Sequence, residues 1–278
     1  MKTISFLLLG VTGMLNLIQA DLYKLRKSMA IKILFAITTL SAIAMASLAY
    51  LMAQGQIAQE YTGIGFMFSD VNMISILGAV IAGVFICGDF DNKTIHDAIS
   101  SGSSRVTVII SKATVFSCAL LFILLPYVIV TGIALGTGSK FDMGAVSVGF
   151  LNILSKESGI IFSASIIFKM VAVALTLMIV YMAQLSICVP LAMVLKKPVL
   201  VISIYYGFSI LCGKLASLSN SSAVFDRFFS FTPFGGKYTF VTFDTGAGEL
   251  IKAIVVSLVF IIVMLALTYS IFRRSEIK

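Results

Sequence analysis

Uninterrupted apolar runs recur along this chain, each long enough to cross a hydrocarbon core of about 30 Å. In lipid every backbone N–H and C=O must find its partner inside the protein, which leaves helices or a closed barrel. The runs are continuous and do not alternate in segments of about ten residues, so helices are predicted. Composition agrees. The chain is 59% hydrophobic and 12% charged, whereas a soluble domain carries about 25% charged residues. The expected fold is an all-α polytopic membrane protein, one transmembrane domain over residues 1–278.

Six spans are predicted, over residues 30–53, 66–87, 108–135, 163–195, 198–216 and 250–272. The fourth is longer than one crossing needs, which implies tilt or extension into water. Pro126 and Pro190 predict bends in the third and fourth. Gly78, Ala79, Ala82 and Gly83 give the second a smooth face suited to close helix contact, including contact with a second copy. Placing the N-terminus, the 88–107 loop, the Lys196-Lys197 turn and the C-terminus on one side gathers Lys2, Lys24, Arg26, Lys27, Lys32, Lys93, Arg105, Lys112, Lys196, Lys197, Arg273, Arg274 and Lys278 there. They stand against Asp21, Asp89, Asp91, Asp97 and Glu276, so that side carries the whole net charge of +8 and the other side is neutral. Positive loops stay in the cytoplasm, so both termini are expected inside the cell membrane. The charge reads as orientation, not as a nucleic-acid surface.

The first twenty residues look like a secretory signal ending at Ile18-Gln19-Ala20. Cleavage there would leave Lys24, Arg26 and Lys27 outside, against the charge rule. The competing pattern, Leu15, Ile18, Leu22, Leu25 and Met29 at helical spacing with Asp21, Lys24 and Lys27 on other faces, predicts an interfacial helix over 14–29. Cys87, Cys118, Cys188 and Cys212 lie singly in apolar runs and show no metal-ligand spacing. Asp70, Lys169, Lys214 and Lys252, near span ends, are expected to snorkel toward the outer interface. With Gln184 the most polar residue expected mid-span, neither a proton relay nor paired catalytic carboxylates are indicated. No catalytic, cofactor-binding or metal residue is assigned.

Two outer loops, about 136–162 and 217–249, carry apolar clusters. The second is densely aromatic, and its bland reading is an interfacial or re-entrant hairpin. The sharper reading makes Phe228, Phe229, Phe231, Phe234 and Tyr238 an exit or gate for an amphipathic substrate.

The stretch "GDFDNKTIHDAISSG" (88–102) interrupts the apolar pattern on the basic side and holds the only histidine, His96. Asp91 or Asn92 is a suitable N-cap, Ile95, Ala98 and Ile99 form a small apolar face, and Gly102 is placed to end the helix. A two-turn helix is unstable alone in water and needs a surface to dock against. This predicts a short helix over 91–102 whose apolar face, above all Ile95 and Ile99, enters a partner protein.

Together with "SSRVTVIISK" this loop resembles the one between the second and third spans of ABC type-2 exporter permeases of Gram-positive bacteria. The shared features are Asp89-Phe90, Thr94-Ile95, Ile99, Gly102 and Arg105. "MLNLIQADLYKLRKS" is similar to the elbow helix that opens such permeases. The resemblance implies that 91–102 is a coupling helix, with Asp91, Thr94, Ile95, Ala98, Ile99, Gly102 and Arg105 docking on a separate cytoplasmic ATPase. The chain has no GxxxxGK[ST], so ATP and Mg would be bound by that partner. A second permease copy or a homologous permease would complete the exporter, and its cargo would be amphipathic or peptide-like. The runner-up is a non-transporting membrane anchor that recruits an ATPase for signalling.

Overall fold

A computed structural model describes residues 2–144, 147–160, 163–219, 223–235 and 237–274. Among these residues every regular element is a helix. Six helical stretches are long and apolar enough to cross a membrane: Met29–Ala53, Thr62–Asp91, Arg105–Gly136, Ala164–Leu195, Pro198–Ala216 and Ala247–Arg273. They overlie the six apolar runs and make this a polytopic helical membrane protein. Several are longer than the runs, because helical hydrogen bonding continues past the last apolar residue.

Helix α1 (Lys2–Lys27) packs along α7 and joins α2 (Met29–Ala53) through Ser28, a single extended residue. Residues 2–13 thus extend the helix expected from residue 14. Leu17 and Leu25 rest on the core, and Asp21 is turned toward α7. The second span is built from α3 (Thr62–Met67), α4 (Asp70–Ala82), a π-helical turn (Gly83–Cys87) and α5 (Gly88–Asp91). The short α6 (Thr94–Ser100) leads to α7 (Arg105–Gly136), which packs on α1, α2, α4, α8, α9 and α13 and forms the centre of the bundle. Then come α8 (Phe150–Lys156), α9 (Ala164–Leu185), α10 (Cys188–Leu195), α11 (Pro198–Ser219), α12 (Ala223–Phe229) and α13 (Ala247–Arg274). The end holding α6, the Lys196-Lys197 turn and the end of α13 is called the basic end below.

The break between α9 and α10 follows from Pro190. It has no N–H for the Ser186 carbonyl, and the Val189 N–H bonds that carbonyl instead, at 3.1 Å. The smooth face of the second span is used inside the chain, which corrects its assignment to a seam between copies. Ala79 and Ala82 are buried, and a Cβ at Gly78 would lie 2.5 Å from Leu185 Cδ1. At Gly83 it would lie 3.1 Å from Pro198 Cα, so α11 starts directly on the π-helical turn. Because backbone is the obstacle, Gly83→Leu should overpack this contact and cost about 1–3 kcal/mol. A lowered melting temperature in detergent is the expected readout, with Gly63→Leu, in open space, as the control.

Candidate functional site

The basic end is organised around two adjacent residues, Asp89 and Phe90, at the end of the second span. The Asp89 side chain is only 3% exposed. Lys24 of α1 bonds its Oδ1, and Lys112 of α7 lies 2.5 Å from its Oδ2. Lys112 also reaches both carboxylate oxygens of Asp21 at 2.7 Å. Two bases and two acids therefore cancel, with Asp89 and Lys112 buried and Lys24 at 45% exposure reaching out to water, and pairing is the condition under which buried charge is tolerated. Phe90 points the other way. Its ring meets Phe272 of α13 edge-on at 6.4 Å, and Lys196 Nζ lies 5.1 Å from its centre. One dipeptide thus ties together α1, α7, the α10–α11 turn and α13.

The short helix α6 sits on this clamp. Helical bonding continues through Asp91, so neither Asp91 nor Asn92 can take the extended conformation of an N-cap. The Asn92 amide bonds the Gly88 carbonyl instead. Lys93, in the left-handed region at φ 56°, makes the break, and the Thr94 hydroxyl donates to the Asp89 carbonyl at 3.2 Å. The end of α6 is as expected. Gly102 has φ +97°, its N–H bonds Ile99 O and the Ser103 N–H bonds Ala98 O, the pair of bonds of a Schellman cap. A cavity of about 250 Å³, lined by Leu17, Thr94, Ile95, Ala98 and Val108 among others, lies between α6 and α1.

The expected docking residues divide into two sets. Ile95 is 1% exposed and belongs to the chain's own core, with Ala98 and Ile99 packed beside it. This corrects the expectation for Ile95, which is buried against the chain's own core and not open to a partner, while Ala98 and Ile99 are half-buried. Arg105 is likewise engaged within the chain. Its Nη1 donates to the carbonyls of Phe272 and Arg273, the latter at 2.9 Å, and caps the end of α13. Asp91 and Thr94 are exposed, as are Lys93, His96, Asp97 and Ser100, so the open face of α6 is polar.

At the opposite end a second acid is buried. Asp70 has no exposed surface, and its Oδ2 accepts from the Tyr181 hydroxyl and from the Phe150 N–H at 3.1 Å. It does not snorkel, because those donors lie inside the fold, whereas Lys169, Lys214 and Lys252 are exposed. Asp70 holds the start of α8, where Gly149 at φ +65° leaves no room for a Cβ. From α8 and its flanking residues three bonds reach the loop between α12 and α13: Gly149 N–H to Thr239 O at 2.7 Å, the Asn152 amide to Val241 O, and Phe243 N–H to Glu157 Oε1 at 2.8 Å.

The expected gate residues do not form one ring. Phe228 and Phe231 are 71% and 67% exposed, and Phe229 stacks on Phe225. Phe234 is wedged between Phe208 and Phe260, and Tyr238 is buried, donating to Ser230 O. Sequence reasoning missed Lys24 and Lys112 as partners of Asp89, and Asp21 as the second partner of Lys112. The available signal was a pair of oppositely charged residues at span ends on the same side.

Comparison with protein-family models and with curated proteins finds no match to this chain.

Lys112→Met should leave Asp21 and Asp89 buried with Lys24 alone, at a cost of roughly 3–5 kcal/mol. Adding Asp89→Asn should restore part of that loss in a double-mutant cycle of melting temperatures. At the other end, burial pushes the Glu157 carboxyl up, Asp244 adds to the rise, and the Phe243 N–H and Lys169 pull back. A raised acid favours the packed state most below its ordinary value of about 4.3, and that advantage is lost as pH rises through the raised value. Glu157→Gln keeps the acceptor for Phe243 but cannot titrate. The melting-temperature difference, variant minus wild type, should therefore grow as pH rises from about 4 to about 7.

Proposed function

We propose that this chain is the membrane-spanning subunit of an ATP-driven exporter of the ABC type-2 class, moving an amphipathic or peptide-like substrate. In this reading it lies in the plasma membrane with both termini in the cytoplasm. Separate ATPase subunits bind ATP and Mg, and a second copy or a homologous permease completes the assembly. The resemblance of residues 88–112 supports it, and one observation carries it. The polar helix α6 stands on the Asp89-Phe90 clamp, which is bonded to α1, α7, the α10–α11 turn and α13. An ATPase gripping the open face of α6 would displace the clamp and through it these helices together, as rigid elements transmit motion.

The docking contact is accordingly polar. Lys93, Thr94, His96 and Asp97 face the ATPase, while Ile95, Ala98 and Ile99 anchor the helix beneath, and Gly102 and Arg105 fix its exit. The isolated chain should hydrolyse no ATP, and it should co-purify with an ATPase that carries a phosphate-binding loop. Reversing both charges, Lys93→Glu with Asp97→Lys, should lower ATPase recovery at least tenfold, about 1.4 kcal/mol, with the melting temperature unchanged. Ile95→Asp should instead lower the melting temperature, because it puts a charge into the core. Full ATPase recovery with the reversed face, or ATP hydrolysis by the pure chain, would refute the reading.

A further inference from the structure

We propose that residues 230–235 plug a lateral opening between α11 and α13 at mid-membrane depth, and that this opening takes the apolar tail of a single-chain amphiphile. The depth follows from two walls. At about 1.5 Å per residue, Phe208 stands about 15 Å beyond Pro198, and Phe260 about 18 Å from Phe272. Gln184, in the last turn of α9 before the break, donates its amide to Pro233 O at 2.9 Å. Pro198 and Phe272 both lie at the basic end, so Pro233 and Phe234 sit near the middle of a hydrocarbon core of about 30 Å.

Non-helical backbone survives at that depth only when its polar groups are satisfied by protein. Here they are. Thr232 N–H bonds Phe229 O, Gly235 N–H bonds Thr232 O, Pro233 brings no N–H, and Gln184 and Tyr238 cover the carbonyls of Pro233 and Ser230. The segment is thus a built insertion.

What it fills is equally defined. The main contacts of α11 are with α4 and α10, and those of α13 with α9, α10 and α7. The Phe234 ring closes the space between them, edge-on to Phe208 at 5.3 Å and to Phe260 at 6.2 Å. On either side Ile204, Leu211, Val259 and Ile262 present open aliphatic surface, so the gap opens onto lipid. A gap filled by one ring admits one hydrocarbon tail and no folded peptide. Its walls are aromatic, and the Gln184 amide is taken up by Pro233 O, so it holds the plug in place and offers the tail no polar contact. The inference deepens the export reading by naming a substrate class, and tail binding needs no ATPase.

The chain has no tryptophan, so Phe234→Trp places a single emitter in the plug, and Phe260→Trp places one in the wall should the first fail to fold. In phosphatidylcholine vesicles without ATPase, acyl chains brominated near the bilayer centre should quench the indole more than chains brominated near the headgroup. A lysophospholipid with a dansyl-labelled tail should accept energy from the indole saturably, and unlabelled lysophospholipid should compete. Gln184→Leu, which frees the Pro233 carbonyl, should strengthen that binding about tenfold. Stronger quenching from the shallow position, transfer that follows bulk partition without saturation, or competition by an amphipathic peptide but not by lysophospholipid would each overturn the proposal. ATPase recovery from the same preparations separates the two readings. Loss of tail binding with recovery intact removes the plug and leaves the permease, and lost recovery with tail binding intact does the reverse.

Discussion

A carboxylate that is almost withdrawn from water must be matched by positive charge held in place, and Asp89 sets that requirement for the basic end. One lysine would leave an oxygen unsatisfied, and two would leave excess charge. Lys24, Lys112 and Asp21 meet both demands. Their positions then decide the packing: α1 must lie along α7, and the second span must end between them. The next residue in a helix is turned by about 100°, so Phe90 reaches Lys196 and Phe272 on the far side. The clamp also decides what happens to α6. With the second span fixed, a helix starting at Thr94 lays Ile95 into the core and leaves its polar side open.

The opposite end meets a different constraint with different means. Asp70 is held by a hydroxyl and a backbone N–H, neither of them charged. From it a chain of hydrogen bonds runs through α8 to residues 239–243 and so to the inserted aromatic segment. The two ends contrast mechanically: ion pairs between helices at one, loops bonded to loops at the other. In the export reading, force enters at the ionic end and the substrate is met by the segment that the loops suspend.

Much of this was legible in one dimension. Helix number follows from apolar runs, because length and continuity of hydrophobicity are local properties. The end of α6 at Gly102 was readable, since a left-handed cap needs glycine whatever surrounds it. So was the non-linker character of the loop around Phe234, because clustered aromatics find partners in one another. The start of α6 was not, since Asp91 and Asn92 are good caps in isolation and lose to the continuing helix of the second span. The break falls to Lys93, a residue with no preference for the left-handed region.

The amino-acid sequence by itself determined which surfaces of this protein are apolar, how many helices are long and apolar enough to cross, and where α6 stops. Periodicity and turn chemistry act over a few residues, so those features are complete without neighbours. Only the tertiary structure decided what covers each surface. Ile95 looks like a knob for a partner until it is seen buried in the chain's own core. Arg105 looks like a docking contact until the end of α13 arrives beside it. Asp70 looks like a snorkelling acid until Tyr181 is brought to it from α9. In each case the partner is remote along the chain, and its identity depends on how helices are rotated and stacked, which no local pattern encodes.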